Sequence, residues 1–290
     1  MSVFSPTLNT FKYLITVPVV TLSFLVSPFS MAQERIISAG SAVTEIVEAL
    51  EASDQLVAID VTSVQPQGKT LPVVGYHRQL SAEGLIALHP TLLIGSDEMG
   101  PDATLKTLQQ ADINVAVVNN ESSVTGLDKR IDEIAALTGT QDKAAAIKQQ
   151  VHQQVTALSS VKPTTPKKVL FLLIHEGRPA NVAGNNTTPD ALIQLIGAIN
   201  PAAEHLESYK PISVESMVAM QPDIILVSGR SYQELGGPQA VLKKMPLLAA
   251  TPAGQSLSIL PIDGKALVGG LGLMTLSEAH RVQALIYPQQ

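Results

Sequence analysis

Tyr76, His77 and Arg78 stand in a row after Gly75, in a chain with only five tyrosines and six histidines. A phenol at a strand end offers a π surface, a hydrogen bond or, once deprotonated, an anionic oxygen ligand for Fe(III). Phenols keep their proton in neutral water, so the phenolate form needs the metal and a nearby cation, and Arg78 or Arg230 would supply that charge. His175 closes the apolar run 169–174 and leads into Glu176-Gly177-Arg178-Pro179. An imidazole there is either a metal ligand or a hydrogen-bonded side chain at the lip of a sheet. The other histidines (77, 89, 152, 205 and 280) form no i, i+4 pair, which gives little support to a preformed zinc site. Glu83 and Glu215 belong together because residues 80–94 overlay residues 212–226 without a gap. Ser81 and Ser213, Glu83 and Glu215, Ala87 and Ala219, Pro90 and Pro222 recur in register. Each acid alone is a favourable partner for a helix N-terminus. As a pair on corresponding helices they also suit a two-fold symmetric partner with a basic pocket in each half.

The elements that must position these residues alternate. Strands are predicted at 34–39, 56–61, 91–94, 114–118, 168–174, 224–228 and 258–262, with a further short apolar segment at 71–74. Helices are predicted at 42–52, 105–111, 189–196, 240–245 and 276–286, and after the caps Ser81 and Ser213. The stretch 127–160 keeps a helical period, broken only at Thr138-Gly139-Thr140, and ends in the proline-rich 162–166. Strand–helix alternation implies parallel sheets, and the repeat implies two similar α/β lobes. The expected division is 33–126, a linking helix at 127–162, and 163–290. Ligands of open α/β sheets bind beyond the carboxyl ends of the strands, which puts the site in the cleft between lobes, with the Tyr76 and His175 turns facing each other.

Composition narrows the function. The 290 residues are 45% hydrophobic and 15% charged, with net charge −6 and no cysteine. The acidic balance argues against a nucleic-acid surface, and the missing cysteines exclude disulfides, thiolate metal sites and a lipidated N-terminal cysteine. Lys12 is the only charge before Glu34; an apolar run at 13–29 and Ser30-Met31-Ala32 resemble a secretory signal peptide cleaved near Ala32, which implies a periplasmic mature protein. No G-x-G-x-x-G, Walker A or G-x-S-x-G motif is present, so an α/β enzyme would lack a recognisable catalytic constellation.

The exported two-lobe layout, the linking helix and the E-x-x-x-A-x-x-P repeat resemble the periplasmic substrate-binding proteins of ABC importers for haem, cobalamin and iron–siderophores. Val73-Val74-Gly75-Tyr76-His77-Arg78 resembles the haem-binding branch. The resemblance implies a class III binding-protein fold and Fe(III) protoporphyrin IX as transported ligand. It implies Tyr76 as iron ligand, His175 as a second one in some members, and Arg78 and Arg230, with Arg178 behind them, as propionate or phenolate partners. It implies Glu83 and Glu215 as docking acids for a permease dimer with its ATPase. A monomer, no catalysis and an outer-membrane receptor system upstream go with it; a cobalamin or siderophore binder of the same fold is the alternative.

Overall fold

The computed structural model describes residues 1–5, 34–174 and 177–288. The signal-peptide reading and His175 therefore fall almost wholly or wholly outside the described residues.

Strands β1 (Ile36–Ala39), β2 (Leu56–Ile59), β3 (Leu92–Gly95) and β4 (Asn114–Val117) form a parallel sheet in the order β2-β1-β3-β4. Helices α1 (Ser41–Ala49), α2 (Ala82–Ile86) and α3 (Asp102–Gln110) accompany it. The second sheet contains β5 (Val169–Leu173), β6 (Asn181–Ala183), β7 (Tyr209–Pro211), β8 (Ile224–Ser228) and β9 (Ile259–Ile262), in the order β7-β6-β5-β8-β9. Here β5, β8 and β9 are parallel, whereas β6 and β7 run antiparallel. The last two were not expected as strands: each has three residues, and Tyr209–Pro211 is exposed throughout, so neither carries an alternating apolar pattern. The segment 71–74 is likewise no full strand; Val73 makes one isolated parallel bridge to Ile59.

The central strands are continuous apolar runs because both faces are buried. Ile36, Leu92 and Ile94 face one cluster and Ile37 and Leu93 another; Val169 and Phe171 face the first, Leu170 and Leu172 a third. Each fully buried Ile or Leu contributes roughly 1.5–3 kcal/mol. The first cluster runs through both sheets and collects α1, α4 (Val124–Thr138), α5 (Gln141–Ser160), α6 (Thr188–Leu195) and α11 (Leu273–Ile286).

The helical run after residue 123 is two helices. Gly139 closes α4 in the left-handed conformation (φ 70°), which a glycine adopts without strain. The chain then folds back, so Asp132 pairs with Lys148 at 2.7 Å and Asp128 with His152 at 2.8 Å. Helix α4 packs on α1, while the 20-residue α5 also meets α6 and α11.

The repeat is reproduced in three dimensions. Ser81 caps α2 by accepting from the Gly84 N–H, and Ser213 caps α7 (Val214–Ala219) by accepting from the Ser216 N–H. Leu85 and Met217 are the buried residues of the two helices. His89 (φ 48°) and Gln221 (φ 47°) take the same unusual backbone conformation before the following proline. The remaining short helices, α8 (Gly229–Leu235), α9 (Pro238–Lys244) and α10 (Pro252–Gln255), flank the second sheet.

Candidate functional site

The carboxyl ends of the parallel strands place a particular set of side chains. Asp60 follows β2, Glu98 follows β3, Arg230 follows β8, and Lys265 follows β9. The two sets of strand ends face each other. The Lys265 ammonium donates to the Ser63 carbonyl at 2.9 Å, and the Ala42 N–H donates to the Val268 carbonyl at 3.3 Å.

Tyr76 reaches this end of the first sheet on a short extension beside β2. The Val74 N–H donates to the Ile59 carbonyl at 3.0 Å, and the Val61 N–H to the Gly75 carbonyl at 2.8 Å. Gly75 (φ 91°) turns the chain, a conformation open to glycine and costly for most other residues. A 3-10 turn, His77–Gln79, follows at once, and the Tyr76 carbonyl accepts from the Gln79 N–H at 2.8 Å. The backbone is thereby fixed while the phenol stays accessible: Tyr76 is 41% exposed, beside the exposed Val61 and Val73.

His77 packs its ring edge-on beside the phenol and is 2% exposed. Its Nδ1 lies 3.0 Å from Asp60 Oδ2, and Asp60 is fully buried. The Thr62 and Ser63 hydroxyls donate to the Asp60 carboxylate at 2.7 and 2.6 Å. Burial works against the imidazolium, but Asp60 and Glu98 outweigh it and hold the His77 pKa above its ordinary value. Asp60 shows the mirror image: burial raises its pKa, and the hydrogen bonds from His77, Ser63 and Thr62 bring it below the usual range. His77 Nε2 has no hydrogen-bond partner, and Glu98 Oε2 stands 3.7 Å away at ion-pair distance. The other Glu98 oxygen accepts from Arg78. His77 first, then Arg78, keeps Glu98 below the ordinary carboxylate range.

Tyr209 on β7 comes from the second sheet to the same place. Although 36% of the residue is exposed, desolvation of its hydroxyl pushes its pKa well above the ordinary phenol value. Glu98 adds to that shift and Arg78 opposes it. Those two charges thus lie within electrostatic reach of Tyr209. Its ring packs edge-on against Phe171 with centroids 6.3 Å apart.

The other sequence-derived residues are dispersed around this group. Arg230 is exposed and pairs with Glu234 at 3.1 Å within α8. Arg178 is exposed on the turn after β5. Glu83 and Glu215 are exposed in the first turns of α2 and α7. Asp60, Glu98, Tyr209 and Lys265 were missed by sequence reasoning. The strand-end rule that singled out Tyr76 would have found the first two, since each follows an apolar strand. Among the described residues no cluster of three or more His, Asp or Glu could hold a metal ion by itself. A cavity of about 560 Å³ lies at the opposite, amino-terminal ends of β3 and β4, lined by Glu34, Leu92, Asn114 and neighbours. It contains no tyrosine, histidine or arginine and is not the site. What the cleft offers is the exposed Tyr76 phenol with the part-exposed Tyr209, Arg78 paired to the half-buried Glu98, and the exposed apolar side chains of Val61 and Val73.

Known proteins share the fold of this chain. A family model described as periplasmic binding protein matches residues 36–265. Among solved structures, the periplasmic heme-binding protein HutB of Vibrio cholerae is 59% identical with a TM-score of 0.84, the match covering 89% of this chain and 100% of that one. The periplasmic heme-binding protein RhuT from Roseiflexus sp. RS-1 in apo form is 33% identical with a TM-score of 0.82, covering 88% and 98%. The vitamin B12-binding protein of Vibrio cholerae serotype O1 is 28% identical over 217 residues, 72% of this chain and 75% of the relative.

Proposed function

The chain belongs to the periplasmic binding protein family, and on that premise we propose that it captures haem in the periplasm and delivers it to an ABC-type permease. The observation that carries this reading is Tyr76: an exposed phenol on a rigid turn at a strand end, two residues from an arginine paired to Glu98. The high identity to a heme-binding relative over nearly the whole described chain supports it. Fe(III) accepts the phenolate oxygen of Tyr76, and His175 supplies a second ligand from the other lobe. Arg78 and Arg230 meet the propionates or favour the phenolate, with Arg178 in a lesser role. The chain acts as a monomeric carrier and not as an enzyme. It is exported by a signal peptide cleaved near Ala32, and it receives haem from an outer-membrane receptor system. Glu83 and Glu215 dock it onto the two halves of a permease dimer driven by its ATPase.

A cobalamin ligand is the second reading, favoured by the similarity to vitamin B12-binding proteins. Titration of the purified protein with ferric haem and, separately, with cyanocobalamin separates the two. Saturable haem binding with a Soret shift, weakened roughly 10- to 100-fold or more in Tyr76→Phe, is the expected result. Saturable cobalamin binding with no haem binding at micromolar concentration would overturn it.

A further inference from the structure

His77 takes no part in the coordination proposed above, yet it is the side chain of the Tyr76 turn most deeply built into the protein. The chain of contacts behind it is continuous. Asp60 takes its Nδ1 side, Ser63 donates to Asp60, Ser63 and Thr44 share a hydrogen bond at 2.7 Å, and Thr44 and Ser38 share another at 2.6 Å. Ser38 lies on β1, in the middle of the sheet. On its Nε2 side the imidazole faces Glu98, which holds Arg78. The same ring touches Tyr76, with centroids 4.5 Å apart and planes at 61°. One buried imidazole therefore links the sheet, the phenol and the guanidinium's only ion-pair partner among the described residues. A leucine or phenylalanine would fill the space without the desolvation cost of burying charged groups. The Asp60 side of this assembly is hydrogen-bonded throughout, and a satisfied buried network rigidifies its surroundings, while the Nε2 side is held by the charge of Glu98.

We propose that His77 is a positioning residue for ligand capture: hydrogen-bonded to Asp60 and facing Glu98 at ion-pair distance, it fixes the direction of the Tyr76 phenol and, through Glu98, keeps Arg78 as the cation that favours the phenolate. In this way it governs the strength of the tyrosine–iron bond and not the fit of the porphyrin. The inference rests on the haem reading and narrows it to a division of labour within one turn. Removing the clamp frees the turn to sample other phenol directions and leaves the cleft walls as they are.

Ferric haem and iron-free protoporphyrin IX distinguish the two effects, because only the first has an iron for Tyr76. In His77→Gln, ferric haem affinity should fall roughly 10- to 100-fold, as for other partners that orient a metal ligand. The affinity for iron-free protoporphyrin should stay within about twofold of the wild type. On a Tyr76→Phe background, His77→Gln should cause no further loss of haem affinity. Equal losses for both porphyrins, an undiminished haem affinity, or the same loss with and without Tyr76 would each overturn the proposal. Glu98→Gln, at a half-buried position, provides a second variant with the same expected pattern should His77→Gln melt before it can be titrated. Failure of the wild type to bind haem would refute the haem reading itself; wild-type binding that needs Tyr76 but ignores His77 and Glu98 would refute only the clamp.

Discussion

Asp60 is the residue on which the Tyr76 turn depends most for its folding energy. It is wholly buried, accepts from His77, Thr62 and Ser63, and faces an imidazole that carries a proton more readily than usual. Removing one partner of a buried ion pair leaves the other charge uncompensated, at a cost of about 3–5 kcal/mol. Asp60→Ala should lower the free energy of unfolding by about that amount in a denaturant titration, and a loss below about 1 kcal/mol would contradict the burial argument. The residue scale is also where the sequence is least legible. Tyr76 and Arg78 stand out because they are neighbours in the chain. The partners of this turn do not: Asp60 sits 17 positions from His77 and Glu98 20 positions from Arg78, and Tyr209 comes from the other sheet. No periodicity marks contacts of that kind, because they are set by how strand ends converge and not by which residues follow one another.

Among the elements, the two repeated helices show how a pattern in sequence becomes a pair of matching surfaces. Caps, buried residues and the left-handed residue before the proline agree between α2 and α7, so Glu83 and Glu215 leave the two sheets in equivalent ways. Reversing the charge at either, as Glu83→Lys or Glu215→Lys, should reduce permease-dependent haem uptake about tenfold or more, since like-charge juxtaposition across an interface costs several kcal/mol. Haem affinity of the purified variant should not change, because both acids are exposed and neither makes a hydrogen bond or ion pair with the Tyr76 turn. A parallel fall in haem affinity would remove the docking assignment. This repeat was legible because both copies keep the same capping serine, acid and proline. The antiparallel β6 and β7 were not, because strands of three residues are held by their ladder hydrogen bonds to a neighbour and are too short to carry an alternation of their own.

At the scale of the whole molecule, two sheets share one interior. Alternating strands and helices made two α/β lobes legible, but apolar strands buried on both faces say nothing about which cluster each face joins. The seam between the sheets is polar as well as apolar. Arg130, 1% exposed, donates to the carbonyls of Asn119, Glu121 and Leu271. Glu45 on α1 accepts from the Leu273 and Met274 N–H groups at 2.7 and 2.8 Å, at the N-terminus of α11. Burial pushes the Glu45 carboxyl up to about 7, against the pull of those two N–H groups and of Arg130. In the unfolded chain the same carboxyl titrates near its ordinary value of 4.5. Between these pH values the folded state binds more protons than the unfolded one, so the contribution of this group favours folding at the acid end and is lost as the pH rises towards 7. The unfolding free energy of wild type minus that of Glu45→Gln should therefore decline across this window and level off above it. A difference independent of pH from 4.5 to 7 would show that Glu45 titrates normally.

The contact between α1 and α11 also bears on the order in which the protein can assemble. Helix α1 begins at Ser41, and the helix it helps to cap ends at Ile286. A chain that emerges amino-terminus first has therefore delivered its whole first sheet long before the surface meant to cover α1 exists. Leu276, Ala279, Val282 and Ile286 belong to the same cluster as Ile36 and Ile46, so apolar surface on the early half stays wet until the final helix arrives. Contacts so distant in sequence make folding slow and leave a long interval open to aggregation. The last helix thus completes the cover of a cluster that the first strand begins.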